Sequence, residues 1–139
     1  MRIPAHLGRG PVEPTNPDTA AFYAKLLQVL KRTVVFRDGA WSQIQPQSAW
    51  AGNWTSDNFI AYAWAGRNGS RHVVVVNYAG NQGQCRLQPP FPEFRGKQVH
   101  LADLMGTEVY DRDGSELVDH GLYIDHAPWH FNVFQLQVD

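Results

Sequence analysis

His126 and His130 stand four residues apart, the offset at which two imidazoles share one face of a helix and hold a zinc ion. Pro128 lies between them and no glutamate follows His126. The spacing therefore predicts two ordinary loop or strand-edge histidines and no zinc site. Asp111, Asp113 and Gly114 have the residue types of a calcium loop, but the glycine comes two positions too early for the helix–loop–helix pattern. Turn chemistry accounts for all three. Cys85 sits between Gln84 and Arg86 on a strand-like stretch. Arg86 would favour the thiolate, yet a lone strand cysteine reads first as a small buried hydrophobe. No serine occupies a Gly-x-Ser-x-Gly elbow, and Gly66 and Gly69 flank a hairpin instead of opening a helix onto a phosphate. These residues predict no catalytic residue, no metal site and no cofactor.

Sugar binding is the stronger chemical idea. Trp41, Trp50, Trp54, Trp64 and Trp129 are many tryptophans for the length, and indole faces stack on pyranose rings. Trp50 and Trp54 flank Ala51-Gly52-Asn53 in a loop outside any alternating pattern, with polar Thr55, Ser56, Asp57 and Asn58 beside them. They are the candidate substrate-binding residues, with a carbohydrate as the ligand. The competing reading, that both fold back to plug a sandwich end, is preferred at this point because aromatics dominate core packing. Trp41, Trp64 and Trp129 lie on strands at a parity compatible with the core and are expected there. Asn53-Trp54-Thr55 and Asn68-Gly69-Ser70 match the glycosylation acceptor, and both are read as chance matches.

The elements that must position these residues follow from composition and periodicity. Apolar residues make up 43% of the 139-residue chain and charged residues 18%, enough for a core and the size of one domain. A net charge of −1 and a pI of about 6.6 leave no basic footprint, so neither nucleic acid nor an anionic membrane is an expected partner. One cysteine excludes an intrachain disulfide framework. No apolar run approaches the ~20 residues of a membrane span, and the first residues lack a secretory core, which favours a cytoplasmic location. Twelve glycines and nine prolines predict frequent turns and an all-β fold.

Residues 1–16, punctuated by Pro4, Pro11 and Pro14, read as an irregular strap. Asn16-Pro17 is a helix start, and a helix is expected from about Pro17 to about Lys31. Val29, Phe22, Leu26, Leu30, Tyr23 and Leu27 spread over an arc of about 160° on it, wider than the ~100° stripe of a helix with one neighbour. That width predicts contact with two bodies. Phe22, Tyr23, Leu26, Leu27 and Leu30 are the candidate interface, facing a partner domain or, through self-association, a second copy of the chain.

From residue 33 the pattern alternates. Val34-Val35-Phe36 leads through a predicted Asp38-Gly39 hairpin turn to residues 40–44. Residues 58–64 place Ile60, Tyr62 and Trp64 on one face and Phe59, Ala61 and Ala63 on the other. Val73 to Val76, apolar on both faces, predicts an interior strand. Short strands are expected at 83–87, 98–103, 107–111, 116–118 and 122–124. The last strand, 129–138, changes parity near Val133, which predicts a bulge or burial on both faces. About eight strands at this spacing make an antiparallel, Greek-key-like β-sandwich over 33–139, preceded by the strap and helix of 1–32.

Arg2-Ile3-Pro4-Ala5-His6-Leu7-Gly8-Arg9, then Pro11, Glu13-Pro14, Phe22-Tyr23 and Leu26-Leu27, resemble the end of the catalytic barrel in α-amylase-type glycoside hydrolases of family 13. Gly39-Ala40-Trp41, Val76-Asn77-Tyr78, Gly121-Leu122-Tyr123-Ile124 and Val133-Phe134 resemble the antiparallel sandwich that follows that barrel. The resemblance implies a last barrel loop and helix joined to a C-terminal sandwich, whose partner is the catalytic barrel of a parent chain acting on α-glucans or related α-glucosides. It also implies no catalytic residue here, because the family's nucleophile aspartate, acid/base glutamate and further aspartate lie on upstream barrel strands. Retaining hydrolysis needs two carboxyl groups ~5–5.5 Å apart, and Glu13, Glu93, Glu108 and Glu116 occur singly. The expected role is mechanical: a non-catalytic domain, inactive alone, that stabilises and orients the barrel. An independent carbohydrate-binding module and an interaction domain that uses the helix as a groove filler are the rivals.

Overall fold

The computed structural model describes residues 17–139; the strap at 1–16 and the Asn16 cap lie outside the described residues. Helix α1 (Pro17–Arg32) is followed by one helical turn, α2 (Val35–Asp38), and then by β1 (Ala40–Ile44), β2 (Gln47–Ser48), β3 (Phe59–Ala65), β4 (Arg71–Asn77), β5 (Gly83–Leu87), β6 (Gln98–Asp103) and β7 (Val109–Asp113). A short helix α3 (Gly114–Asp119), β8 (Leu122–His126) and β9 (Phe131–Val138) complete the chain. Six strands form an antiparallel sheet ordered β1-β3-β4-β9-β6-β7, and three form a second sheet ordered β2-β5-β8. The fold is the antiparallel sandwich that alternation and turn spacing predict.

Side chains at alternate positions of the large sheet form its inner face. Ala61 pairs with Val75, Ala63 with Val73, Val73 with Phe134 and Leu101 with Leu136. These residues, with Ile44, Phe59 and Val99, pack on Cys85, Leu87, Leu122 and Ile124 of the small sheet in one cluster. The valine run of β4 is interior as expected, lying between β3 and β9.

Two local expectations about secondary structure are corrected. Residues 35–38 are helical, not strand: Arg37 and Asp38 amides donate to Val34 O, and the Gly39 amide donates to Val35 O at 2.9 Å. Val35 is buried, and Phe36 stands edge-on to Trp64 and His72, so one helical turn covers the outer face of the large sheet. Gly39 is needed for close approach, since a Cβ there would lie 2.5 Å from Val35 Cγ2. Residues 114–119 form α3 where a strand was expected at 116–118, because the Asp113 carboxylate caps the Ser115 amide at 2.8 Å.

The parity change in β9 is burial on both faces. Its register with β4 runs unbroken from Val76↔Phe131 to Arg71↔Leu136. Asn132, Phe134 and Leu136 face inward, and Val133 is buried on the outer face. The tryptophan expectation fails as well. Trp41 is 64% exposed and Trp129 58% exposed, while Trp64 is half-buried on the outer face. The small sheet approaches the alanine face of β3, so the face carrying Tyr62 and Trp64 turns outward.

Candidate functional site

Two apolar surfaces share the outer side of the large sheet. One belongs to α1: Phe22 meets Phe131 of β9 edge-on at 5.6 Å, and Val29 is buried. Phe22, Tyr23, Leu27 and Leu30 remain exposed, and Leu26 is half-buried. The other is the open part of the sheet beside the helices, where Trp41 of β1 lies edge-on to Tyr62 of β3 and Ile60 is exposed. Each such side chain left in water forgoes about 1.5–3 kcal/mol of burial.

Aromatics also gather at one end of the sandwich. Phe59↔Asn77, Val76↔Phe131 and Gly83↔His126 bring strand ends together there, so residues 49–58, 78–82 and 127–130 form one rim. Trp50 is 53% exposed and Trp54 78% exposed on the first of these loops, which overturns the packing reading. The loop is tied down beneath them. The buried Asn53 side chain donates to Gln84 Oε1 at 2.9 Å and accepts from the Thr55 amide and hydroxyl, while Ser48 Oγ lies 2.6 Å from both Trp50 O and Asn53 O, between which its single proton is shared. The same bonds occupy the amide of the first glycosylation match. Tyr78 (67% exposed) and Trp129 (58%) stand on the other two loops with perpendicular rings 5.4 Å apart. Trp129 has φ of 63°, a left-handed backbone that costs a bulky residue about 1–3 kcal/mol.

A polar network missed by sequence reasoning lies beneath this rim. Asn132 Nδ2 donates to Asp103 Oδ2 and to Glu108 Oε2, both at 2.8 Å. Carboxylates accept only, so the amide oxygen faces His126, whose Nε2–H donates to it at 2.6 Å. Burial holds the His126 pKa below its ordinary value, and the His130 ring lies 4.6 Å away. Glu108 is therefore not single; the β6–β7 hairpin brings it beside Asp103. The pair is a structural cap, with Asp103 Oδ1 accepting from the Met105 and Val133 amides. The neighbouring cleft of about 200 Å³ is lined by Glu108, His126, His130 and Asn132 among others.

The other chemistry-bearing residues are accounted for locally. Burial pushes the Cys85 thiol up to about 12, which removes it as a nucleophile. Asp113 caps α3, and Asp111 pairs with His100, which also meets Asp139. No group of three or more potential metal ligands occurs among the described residues. A cavity of about 840 Å³ lies between the end of α1 and the β3–β4 turn, with Arg32, Arg67 and His72 among its lining residues.

The fold and its surfaces thus define a β-sandwich with one apolar side and one aromatic rim. No family model matches the chain, and no curated protein matches it. Among solved structures it is similar to part of a Bacillus halodurans C-125 protein provisionally assigned as an alpha-N-acetylgalactosaminidase, with 15% identity and a TM-score of 0.47. The match covers 70% of this chain and 22% of the other, so the chain spans about a fifth of that glycosidase's length.

Proposed function

We propose that this chain is a non-catalytic β-sandwich from the C-terminal region of an α-amylase-type glycoside hydrolase of family 13, with 1–32 closing the barrel edge and 33–139 forming the sandwich. Its role is to shield and orient a catalytic barrel acting on α-glucans or related α-glucosides. One observation carries the reading: the exposed face of α1 and the exposed Trp41 and Ile60 of the large sheet lie on the same side of the molecule. A neighbouring domain on that side would cover both. The motifs that resemble the barrel end and the sandwich support the same assignment. The coding sequence upstream of residue 1 tests it: barrel strands carrying the aspartate, glutamate and aspartate set are expected, and an unrelated upstream domain overturns the proposal.

A second reading is favoured by the exposure of Trp50 and Trp54. On a loop fixed by Asn53 and Gln84, both indoles are presented to solvent as a module that binds α-glucan would present them. Retention on an insoluble starch column, lost in Trp50→Ala and Trp54→Ala, is the expected result. Unretarded elution of the intact chain removes this reading and leaves the first untouched.

A further inference from the structure

We propose that Tyr78 and Trp129 form a stacking platform for the pyranose ring of an α-gluco-oligosaccharide, separate from the Trp50–Trp54 loop. The inference shares only its ligand class with the carbohydrate reading and rests on other residues. Both side chains are more than half exposed although each could remove a large apolar area from water. Their frame is rigid. The fully buried Asn77 Nδ2 lies 2.8 Å from Asn81 O and 3.1 Å from both His126 O and Ala127 O, so the two N–H groups of one amide, shared among three carbonyls, tie both loops to the end of β4. Backbone bonds add to the clamp: Asn77 N donates to His130 O, Tyr78 N to Asn58 O and His130 N to Ala127 O. Trp129 keeps its left-handed backbone within this frame. Exposed aromatics held on a fixed and strained frame are organised for a ligand more than for stability.

The surroundings select the ligand. Asn58 and Asn81 are joined by a 3.2 Å side-chain bond on the same rim, and amides both donate and accept, as sugar hydroxyls do. The rim segments 53–58, 77–82 and 126–130 contain no lysine or arginine, so nothing there would hold a phosphate backbone. A perpendicular ring pair offers one aromatic face to the C–H side of a pyranose and flanks it with the second ring. A neutral polyhydroxylated ring fits this set of groups.

Titration of the chain with maltoheptaose, followed by calorimetry, tests the site. The intact chain is expected to bind, and Trp129→Ala and Tyr78→Ala to weaken binding by about tenfold or more. Trp129→Gly separates stacking from folding, because glycine accepts the left-handed backbone at no cost. It should match or exceed the intact chain in thermal midpoint while losing affinity to the same extent. Unchanged affinity in Trp129→Gly, or no binding by the intact chain, overturns the proposal. Affinity lost in Trp50→Ala and Trp54→Ala but kept in the Tyr78 and Trp129 variants overturns it while sparing the Trp50–Trp54 reading; the converse overturns that reading and supports this site.

Discussion

His72 lies on the outer face of the large sheet beneath the ring of Phe36, and neither ring nitrogen meets a hydrogen-bond partner among the described residues. Burial lowers its pKa from 6.5 to about 4. The unfolded histidine takes up its proton near 6.5 and the folded one only near 4, so between those values the unfolded chain holds more protons. Stability therefore falls as pH drops through that window, by on the order of 3 kcal/mol in total. Buried His126, whose pKa is also lowered, adds in the same direction. His72→Leu removes the unpaired nitrogens at similar volume, so it should be no less stable at pH 7 and should lose most of the acid slope in urea unfolding at pH 7 and pH 4.5. A slope equal to that of the parent chain would assign the acid sensitivity elsewhere. Trp54 behaves oppositely. At 78% exposure its truncation leaves no cavity, so Trp54→Ala should stay within about 0.5 kcal/mol of the parent, whereas Phe134→Ala in the core should cost about 3–5 kcal/mol.

At the level of elements, α3 depends on one glycine. The Gly114 amide donates to Lys97 O at 2.7 Å, and a Cβ on Gly114 would lie 1.9 Å from Phe94 O. Two backbone segments meet there with no room for a side chain. Gly114→Ala should lower stability by about 3 kcal/mol or more, read as a shift in the urea midpoint, because a backbone oxygen cannot move aside as a flexible side chain can. An unshifted midpoint would show that α3 docks loosely. Helix α1 has the reverse character: Val29 is its one buried residue, and Leu27 projects into water. Leu27→Glu should leave the unfolding midpoint of the chain unchanged within error.

For the whole molecule, the combination of α1 and the open part of the large sheet matters more than either surface alone. A chain that exposes both is expected to self-associate as concentration rises, and Leu27→Glu combined with Trp41→Glu should keep it monomeric in sedimentation equilibrium. A parent chain that remains monomeric at high concentration would show that these side chains are tolerated in water. Activity is predicted at the same scale. Starch, maltodextrin and trehalose should release no reducing sugar above buffer with the purified chain, since Asp103 and Glu108 are both engaged by the Asn132 amide. Hydrolysis abolished by Glu108→Gln would refute that assignment.

Residue order alone determined the class of the molecule. Alternation, the Asn68-Gly69 turn and the two-faced valine run were legible because strand periodicity and turn chemistry are local, and the helix over 17–32 was legible from its proline start and repeating apolar positions. Which face of β3 is buried was not. Ile60, Tyr62 and Trp64 on one side and Phe59, Ala61 and Ala63 on the other are both apolar, so a period of two defines the faces without choosing between them. The choice came from the second sheet, which packs on the alanines and leaves the larger rings outside. The strand reading of 34–36 failed for a related reason, since a three-residue apolar run fits either state until something covers it. Neither the cap that joins Asp103, Glu108, Asn132 and His126 nor the rim that gathers Trp50, Trp54, Tyr78 and Trp129 has any local signature. Both depend on register across sheets that join residues far apart in the chain, and only the folded pairing sets that register.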